Sequence, residues 1–386
     1  MSDTKILDEK YIAHTYGRFP LEIVSGKGSL LYDENGKEYI DMGAGIAVNI
    51  FGTADEEWTA AVEAQLKAFS HTSNLFYSAP CAKLAEMLCD RTGMEKVFFS
   101  NSGAEANECA IKAARKHAED LGKEGSVIIT LKGSFHGRTV TTVSATGQDS
   151  MHVNFHPLTQ GFVYADPGDL DGIKKIMSEQ TVAAVMIETI QGEGGINVLD
   201  AGFVKGIADL CAGSDTLFIV DEVQTGNGRT GKLYSYMNYG VKPDIFTTAK
   251  GLGGGLPIGA TVFGVRAKDI YVPGTHGSTF GGNPTVCAGA INILSRIDDA
   301  LMSEVTKKSD YIVSSLKGAP GVKGVTGKGL MLGIETEKDV KDVLTACREN
   351  GLIVLSAKNK VRLLPPLNIP FELVEKAVSI LKTACV

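Results

Sequence analysis

Five short apolar runs, at residues 97–99, 126–130, 183–188, 217–220 and 245–247, recur through the middle of the chain with helix-patterned stretches between them. Each run is too short for a buried helix and has the length of a strand covered on both faces. Strands that alternate with helices need crossover connections, so the pattern predicts an α/β fold with a mostly parallel central sheet. Ligands of open parallel sheets bind outside the carboxyl ends of the strands, and the polar residues just beyond each run are therefore the candidates for chemistry.

The flanking sequence is of a different kind. Asn35-Gly36 separates two strand-like runs within residues 29–41, which predicts a hairpin. Apolar residues at helical spacing follow through 58–69 and 81–88, with Ala79-Pro80 as the break between them. From about Val322 the chain reads as a smaller α+β unit, with glycine-rich turns at 324–329, a strand at 330–334 and a last helix at 371–384. A length of 386 residues with 44% hydrophobic content is enough for one large core or two smaller ones, and two domains are expected.

Charge narrows the partners. The balance of 45 acidic against 38 basic residues, net -7, provides no general field for nucleic acid or an anionic membrane. Anionic ligands must then be held by local donors. No apolar run approaches the ~18 residues of a membrane span, and the first ten residues are polar, unlike a leader peptide. The seven cysteines (Cys81, Cys89, Cys109, Cys211, Cys287, Cys347 and Cys385) form no C-x-x-C pair and read as reduced core residues of a cytoplasmic protein.

Three strand ends carry the chemistry. In FFSNSGAEANE, Ser102, Gly103 and Ala104 open a helix, and free backbone N–H groups beside small residues suit a phosphate. An ordinary cap by Asn101 or Ser102, with Glu105 completing a capping box, accounts for the same letters. In LFIVDEVQTG an apolar strand delivers Asp221 and Glu222; a buried carboxylate there needs a cation, which a protonated pyridine nitrogen, a metal or a structural ion pair would each supply. In DIFTTAKGLGGGLPIGA, Lys250 precedes a run of glycines. Desolvation would make its amine nucleophilic and able to form an imine with an aldehyde, whereas a lone lysine in a glycine loop is usually a surface residue. Together the three are the contacts that pyridoxal phosphate (PLP) requires at its phosphate, ring nitrogen and aldehyde.

With TYGRFP, NSGAEANE, FHGRT, IETIQGEGG, DEVQTGNGRTG, TTAKGLGGGLPIGA, HGSTFGGNP and VRLLPPLNI in order over nearly its whole length, the chain resembles the class-III, fold-type-I PLP-dependent aminotransferases. The resemblance implies a small domain built from both chain ends, residues 1–50 and 281–386, around a large PLP-binding domain at 51–280. It implies that Lys250 carries the cofactor, that Ser102, Gly103 and Ala104 hold the phosphate, that Phe135 stacks on the ring, that Asp221 pairs with the ring nitrogen and that Gln224 bonds near the phenolic oxygen. Thr279 would reach the phosphate of a neighbouring subunit's cofactor, which implies a homodimer with shared active sites. Arg138, Ser278 and Arg362 match substrate-contacting positions, the arginines as bidentate carboxylate clamps. Glu193 would pair with Arg362 while an ω-amine donor is bound and release it when the α-carboxylate of 2-oxoglutarate or glutamate arrives.

The short chain and the FHGRT context fit the branch acting on N2-acetylornithine. Branches serving succinylornithine, N-succinyl-diaminopimelate, ornithine and 4-aminobutyrate share most of the cofactor motifs. One segment departs from the family: after GIAVN the chain reads IFGTADEEW, where relatives carry Gly-His and His-Pro. Residues 46–51 are the substrate contacts this bears on.

Two other chemistries are weighed against this reading. Gly226 to Gly231 spell G-x-G-x-x-G after a strand, yet no helix pattern follows, and Asp244 precedes its strand instead of ending it, which argues against a dinucleotide site. His152 and His156 have i, i+4 spacing, but Pro157 would end a helix there and no H-E-x-x-H glutamate lies between them, so no metal site is expected.

Overall fold

The structure, a computed structural model, describes residues 3–386. Met1 and Ser2 lie outside the described residues, and the rest of the polar start enters the helix Asp3–Tyr11.

All five expected strands stand in one seven-stranded sheet, ordered Lys96–Ser100, Gly259–Phe263, Ile245–Thr248, Leu217–Asp221, Val182–Ile187, Val127–Leu131 and Phe162–Ala165. The neighbours from Ile245–Thr248 through Phe162–Ala165 pair in parallel. Gly259–Phe263 runs antiparallel to both of its neighbours. Every residue of Val182–Ile187 and Leu217–Asp221 is buried, which is why these strands read as unbroken apolar runs.

The sequence pattern missed two strands. Phe162–Ala165 is an edge strand with three of four residues half-buried, and its apolar signal is correspondingly weak. Gly259–Phe263 begins on a glycine because a Cβ there would lie 2.1 Å from the Ser102 carbonyl oxygen. That close approach binds the strand to the start of the helix Gly103–Asp120, which buries eight residues, Asn107 among them.

The chain ends meet in smaller sheets. The expected hairpin forms from Leu30–Asp33 and Glu38–Asp41, with Gly36 at φ +77° and Asp33 Oδ1 accepting from the N–H groups of Asn35 and Lys37. Glu38–Asp41 then pairs in parallel with Leu352–Ile353 from the far end of the chain. A second sheet combines Val322–Lys328, Met331–Thr336, Lys360–Leu363 and Leu355–Ala357. Here the expectation of turns at 324–329 is corrected, because most of that stretch is strand. Gly327 is required by contact and not by a turn, since a Cβ on it would sit 2.0 Å from the Met331 carbonyl oxygen of the facing strand. The last helix runs Phe371–Cys385, and Pro80 starts the helix Ala79–Thr92 at its first turn instead of only ending the one before.

One apolar cluster extends from Ile40 to Cys385 and so joins the central sheet to both chain ends. All seven cysteines are free, five of them buried. No helix of the described residues is long and apolar enough to cross a membrane.

Candidate active site

The carboxyl ends of the central strands open on a cavity of about 460 Å³, lined by Ser102, Gly103, Ala104, Phe135, Arg138, Glu193, Asp221, Gln224 and Lys250 among others. Nine of the twelve residues singled out from the sequence thus share one space. Arg362 joins them through an ion pair with Glu193. Ser278 joins through Asn101, whose Nδ2 donates to Ser278 Oγ at 3.2 Å and which itself lines the cavity. Thr279 stands apart: it is exposed and does not line the cavity.

At the first strand end, Ser102 caps the helix, its Oγ accepting from the Glu105 N–H at 3.2 Å. The Glu105 carboxylate accepts from the Asn101 backbone and side chain, so the capping reading and the anion reading hold together. The N–H groups of Gly103 and Ala104 lie in the first turn, where the helix supplies no acceptor. A Cβ on Gly103 would come within 2.6 Å of Val223, and one on Gly137, at φ +141°, within 2.8 Å of the Ala104 Cβ. Backbone is therefore bare where a phosphate would approach it.

At the second, Asp221 is buried to 4% exposure, with Oδ2 accepting from His136 Nδ1 and Asn107 Nδ2, each at 2.8 Å. Of the alternatives left open by the sequence, a structural histidine partner is thus present, which is an ion pair when the imidazole carries its second proton. Oδ1 accepts only from the Val223 N–H, at 3.0 Å, which leaves one acceptor direction for a further donor. Burial works against a charged His136, yet the bond to Asp221 and its charge raise the imidazole above the ordinary histidine value. Glu222 does other work. Burial pushes it up to about 7, and it accepts from Thr225 Oγ1 and from the Ser235 and Tyr236 N–H groups, holding the turn Ser235–Tyr239.

At the third, Lys250 is half-buried, with φ +46°, a backbone conformation sparsely used by side chains of any length. Desolvation lowers its amine below the ordinary lysine value, against the opposing charge of Glu193. Half-buried and lining the cavity, Lys250 is not a surface lysine. A cavity with bare helix N–H groups, a buried carboxylate with an open lone pair and a desolvated amine fits PLP at three separate atoms.

Glu193 and Gln224 complete the wall. Burial would raise Glu193, but the adjacent Arg362 guanidinium outweighs it and holds the carboxyl below its ordinary range. Gln224 Nε2 donates to Glu193 at 3.2 Å, and its Oε1 accepts from Arg362 at 3.3 Å. Arg138 is exposed, has no carboxylate partner among the described residues, and stands 5.3 Å from the Phe135 ring centroid. Phe135 is itself held by its N–H, which donates to Glu188 at 2.9 Å.

The departing segment is largely structural. Ile50 and Phe51 are buried, Asp55 caps the helix Glu56–Ala68 and pairs with Arg296, and Trp58 Nε1 donates to the Gly253 carbonyl at 3.1 Å. It props the glycine loop behind Lys250. Within 46–51, Val48 is the residue that lines the cavity.

The other candidate motifs resolve into scaffold. Arg229 of the G-x-G-x-x-G run is wholly buried and donates to the carbonyls of Leu330 and Pro365, while the stretch after it forms a 3-10 turn and Asp244 accepts from the Phe218 N–H. His152 Nε2 is satisfied by the Val143 and Thr146 carbonyls.

Sequence reasoning passed over His136, Asn107 and Glu188. Each was in view: His136 lies inside FHGRT, Asn107 falls one helical turn after Gly103, and Glu188 ends the third apolar run. What could have found them is the rule that a buried carboxylate such as Asp221 needs neighbours that satisfy both of its oxygens.

Comparison with known proteins agrees with this geometry. The profile of the family "Aminotransferase class-III" matches residues 11–385. The chain is 46% identical over 380 residues to a protein of Haemophilus ducreyi named acetylornithine aminotransferase, covering 98% of this chain and 97% of that one. Among solved structures, an N-acetylornithine aminotransferase from Stenotrophomonas maltophilia is 36% identical with a TM-score of 0.85, over 98% of this chain and 97% of that one. An ornithine aminotransferase from Toxoplasma gondii, with PLP at partial occupancy in its active site, is 32% identical with a TM-score of 0.94, over 99% and 94%. The chain belongs to the class-III aminotransferases, and it is a PLP-dependent enzyme of that family.

Proposed function

We propose that this enzyme transfers the terminal amine of N2-acetylornithine to 2-oxoglutarate, giving N-acetylglutamate 5-semialdehyde and glutamate. The observation that carries this reading is the pairing of Glu193 with Arg362 in the cavity where Arg138 is unpaired. One clamp is thus free for a donor's carboxylate while the other is closed. An acetylated donor presents an α-carboxylate and no α-amine, so its terminal amine is the reacting group brought beside Lys250. The names of the full-length relatives support the same donor.

Bound PLP supplies an aldehyde that takes up amines and a ring that accepts electrons from the substrate carbon. In this reading Ser102, Gly103 and Ala104 hold its phosphate, Phe135 covers its ring, Asp221 faces the ring nitrogen and Gln224 the phenolic oxygen. Asp221 would present Oδ1 to the ring nitrogen and favour a proton there. Lys250 Nζ, whose basicity desolvation lowers, would be the group that moves a proton at the substrate carbon. Arg138 and Ser278 orient the donor. Glu193 withdraws from Arg362 when the α-carboxylate of the second substrate offers the guanidinium a better partner.

Thr279, exposed beside Phe280, would serve the cofactor of a second copy, so the working unit is a homodimer with shared sites. The domains in this reading are 51–280 for cofactor binding, with 1–50 and 281–386 as the smaller unit. Seven unbridged cysteines suit a cytoplasmic enzyme.

A panel of half-reactions tests the substrate. Acetylornithine, succinylornithine, N-succinyl-diaminopimelate, ornithine and 4-aminobutyrate are mixed in turn with the PLP-loaded protein, and conversion of the cofactor absorption band is followed. Acetylornithine is expected to react fastest. Ornithine or 4-aminobutyrate reacting much faster would overturn the assignment of donor, and a protein that stays colourless with PLP would overturn the site.

A further inference from the structure

The two oxygens of Asp221 are used unequally. Oδ2 is filled by His136 Nδ1 and Asn107 Nδ2, both at 2.8 Å, and Oδ1 receives only the Val223 N–H. Asn107 is fixed in turn, its Oδ1 accepting from Thr247 Oγ1 at 2.7 Å and its Nδ2 donating also to the His136 carbonyl at 2.8 Å. The His136 backbone is pinned as well, its N–H donating to Thr146 Oγ1 at 3.0 Å. The imidazole is wholly buried and its Nε2 has no partner among the described residues, so its one polar contact there is with Asp221.

Leaving a buried ring nitrogen unanswered is costly, and an apolar side chain would avoid it. What the imidazole adds is a rigid donor at Oδ2. With Asn107 it leaves the carboxylate one orientation, Oδ2 turned into the protein and Oδ1 open. Donation through Nδ1 persists whether the ring is neutral or charged, so the clamp holds in either state.

We propose that His136 and Asn107 are positioning residues, which lock Asp221 with Oδ2 occupied so that Oδ1 alone meets the ring nitrogen of the cofactor. The inference rests on the reading of Asp221 given under the proposed function. A carboxylate free to rotate would share its charge between the ring and the protein, and the ring nitrogen would hold its proton less firmly.

The test uses holoenzyme loaded with PLP carrying nitrogen-15 in the ring. The nitrogen chemical shift and the cofactor dissociation constant are measured for the parent and for His136→Leu, His136→Asn, Asn107→Ala and Asp221→Ala. Thermal unfolding checks each fold, and Asn107→Ala serves where His136→Leu does not fold. The amide of His136→Asn stands where Nδ1 stands. His136→Leu is expected to move the resonance toward the unprotonated position and to weaken cofactor binding at least tenfold, with His136→Asn restoring both. If Asp221→Ala moves the resonance while His136→Leu and Asn107→Ala leave it in place, the positioning role is wrong. Loss in His136→Leu without rescue by His136→Asn also overturns it, as packing alone would then explain the effect. A resonance unmoved in Asp221→Ala would instead remove Asp221 from the ring nitrogen and take the underlying reading with it.

Discussion

Glu193 and Arg362 form an ion pair that Gln224 bonds from both sides, its amide nitrogen to the carboxylate and its oxygen to the guanidinium. Arg362 is only 4% exposed and its Nε has no partner among the described residues, so the guanidinium is bound there at one edge. That arrangement is a gate with a spare donor. Glu193→Gln removes the competing charge and keeps the size. The α-carboxylate of glutamate should then bind the freed guanidinium more tightly, while a donor that leaves Arg362 unused gains nothing. A charge-assisted bond is worth about 1.5 to 3 kcal/mol, so the ratio of the glutamate to the acetylornithine half-reaction should rise by roughly tenfold or more. Single-turnover absorbance with each substrate measures it, and an unchanged ratio would remove the gate.

Arg138 has the opposite character, exposed and without a carboxylate partner, lying against the Phe135 ring. Arg138→Ala should weaken donor binding by about 1.5 to 3 kcal/mol, or roughly 10- to 150-fold, with the limiting half-reaction rate changed less. Arg138→Lys should recover only part, because a point charge lacks the two-pronged match to a carboxylate. Saturation curves of the half-reaction separate binding from rate. A donor response identical to the parent would place Arg138 outside the site.

Much of this site is legible from letters alone, for a physical reason. Strands buried on both faces must be apolar almost throughout, so Leu217–Asp221 stands out and the carboxylate that ends it is conspicuous. Lys250, Asp221 and Ser102 are found that way. The residues missed act through others: His136 and Asn107 are polar groups inside the protein whose partner is Asp221, and only three-dimensional pairing reveals them. The same holds for Gly327 and Gly259, where glycine answers a facing backbone. Turn propensity misreads the first, and nothing in the local letters marks the second as the start of a strand.

Glu222 gives a pH signature independent of catalysis. Its folded value stands at about 7 against an ordinary 4.5, with burial as the main cause, so between those limits the folded state binds more protons than the unfolded one. Stability contributed by this group is therefore present below about pH 4.5 and falls as pH rises toward 7. At 1.36 kcal/mol per pH unit the span corresponds to roughly 3 kcal/mol. Glu222→Gln cannot ionise and should flatten that part of the profile, while keeping an oxygen to accept from Ser235 or Tyr236. Urea midpoints of the PLP-free protein between pH 4.5 and 7.5 measure it. Parallel profiles for parent and variant would show that Glu222 does not titrate in this range.

The proposed homodimer makes the last prediction. Leu75, Phe76 and Tyr77 are 87%, 69% and 108% exposed in one protomer, and Phe280, next to Thr279, is 59% exposed. Consecutive large apolar side chains left in water mark a surface that a partner covers. The neighbouring Asn74 ties this strip to the Thr279 loop, its Nδ2 donating to the carbonyls of Ser278 and Gly281. One interface would thus bury the apolar strip and carry Thr279 to the other cofactor. Phe76→Asp, placed at the middle of the strip, should shift the particle from dimer to monomer in sedimentation velocity. It should also weaken PLP retention, since each site would lose the Thr279 hydroxyl of its partner. Thr279→Ala is expected to weaken retention while leaving the dimer intact. A Phe76→Asp protein that remains a dimer, or a parent that sediments as a monomer with full PLP retention, would defeat the shared-site arrangement.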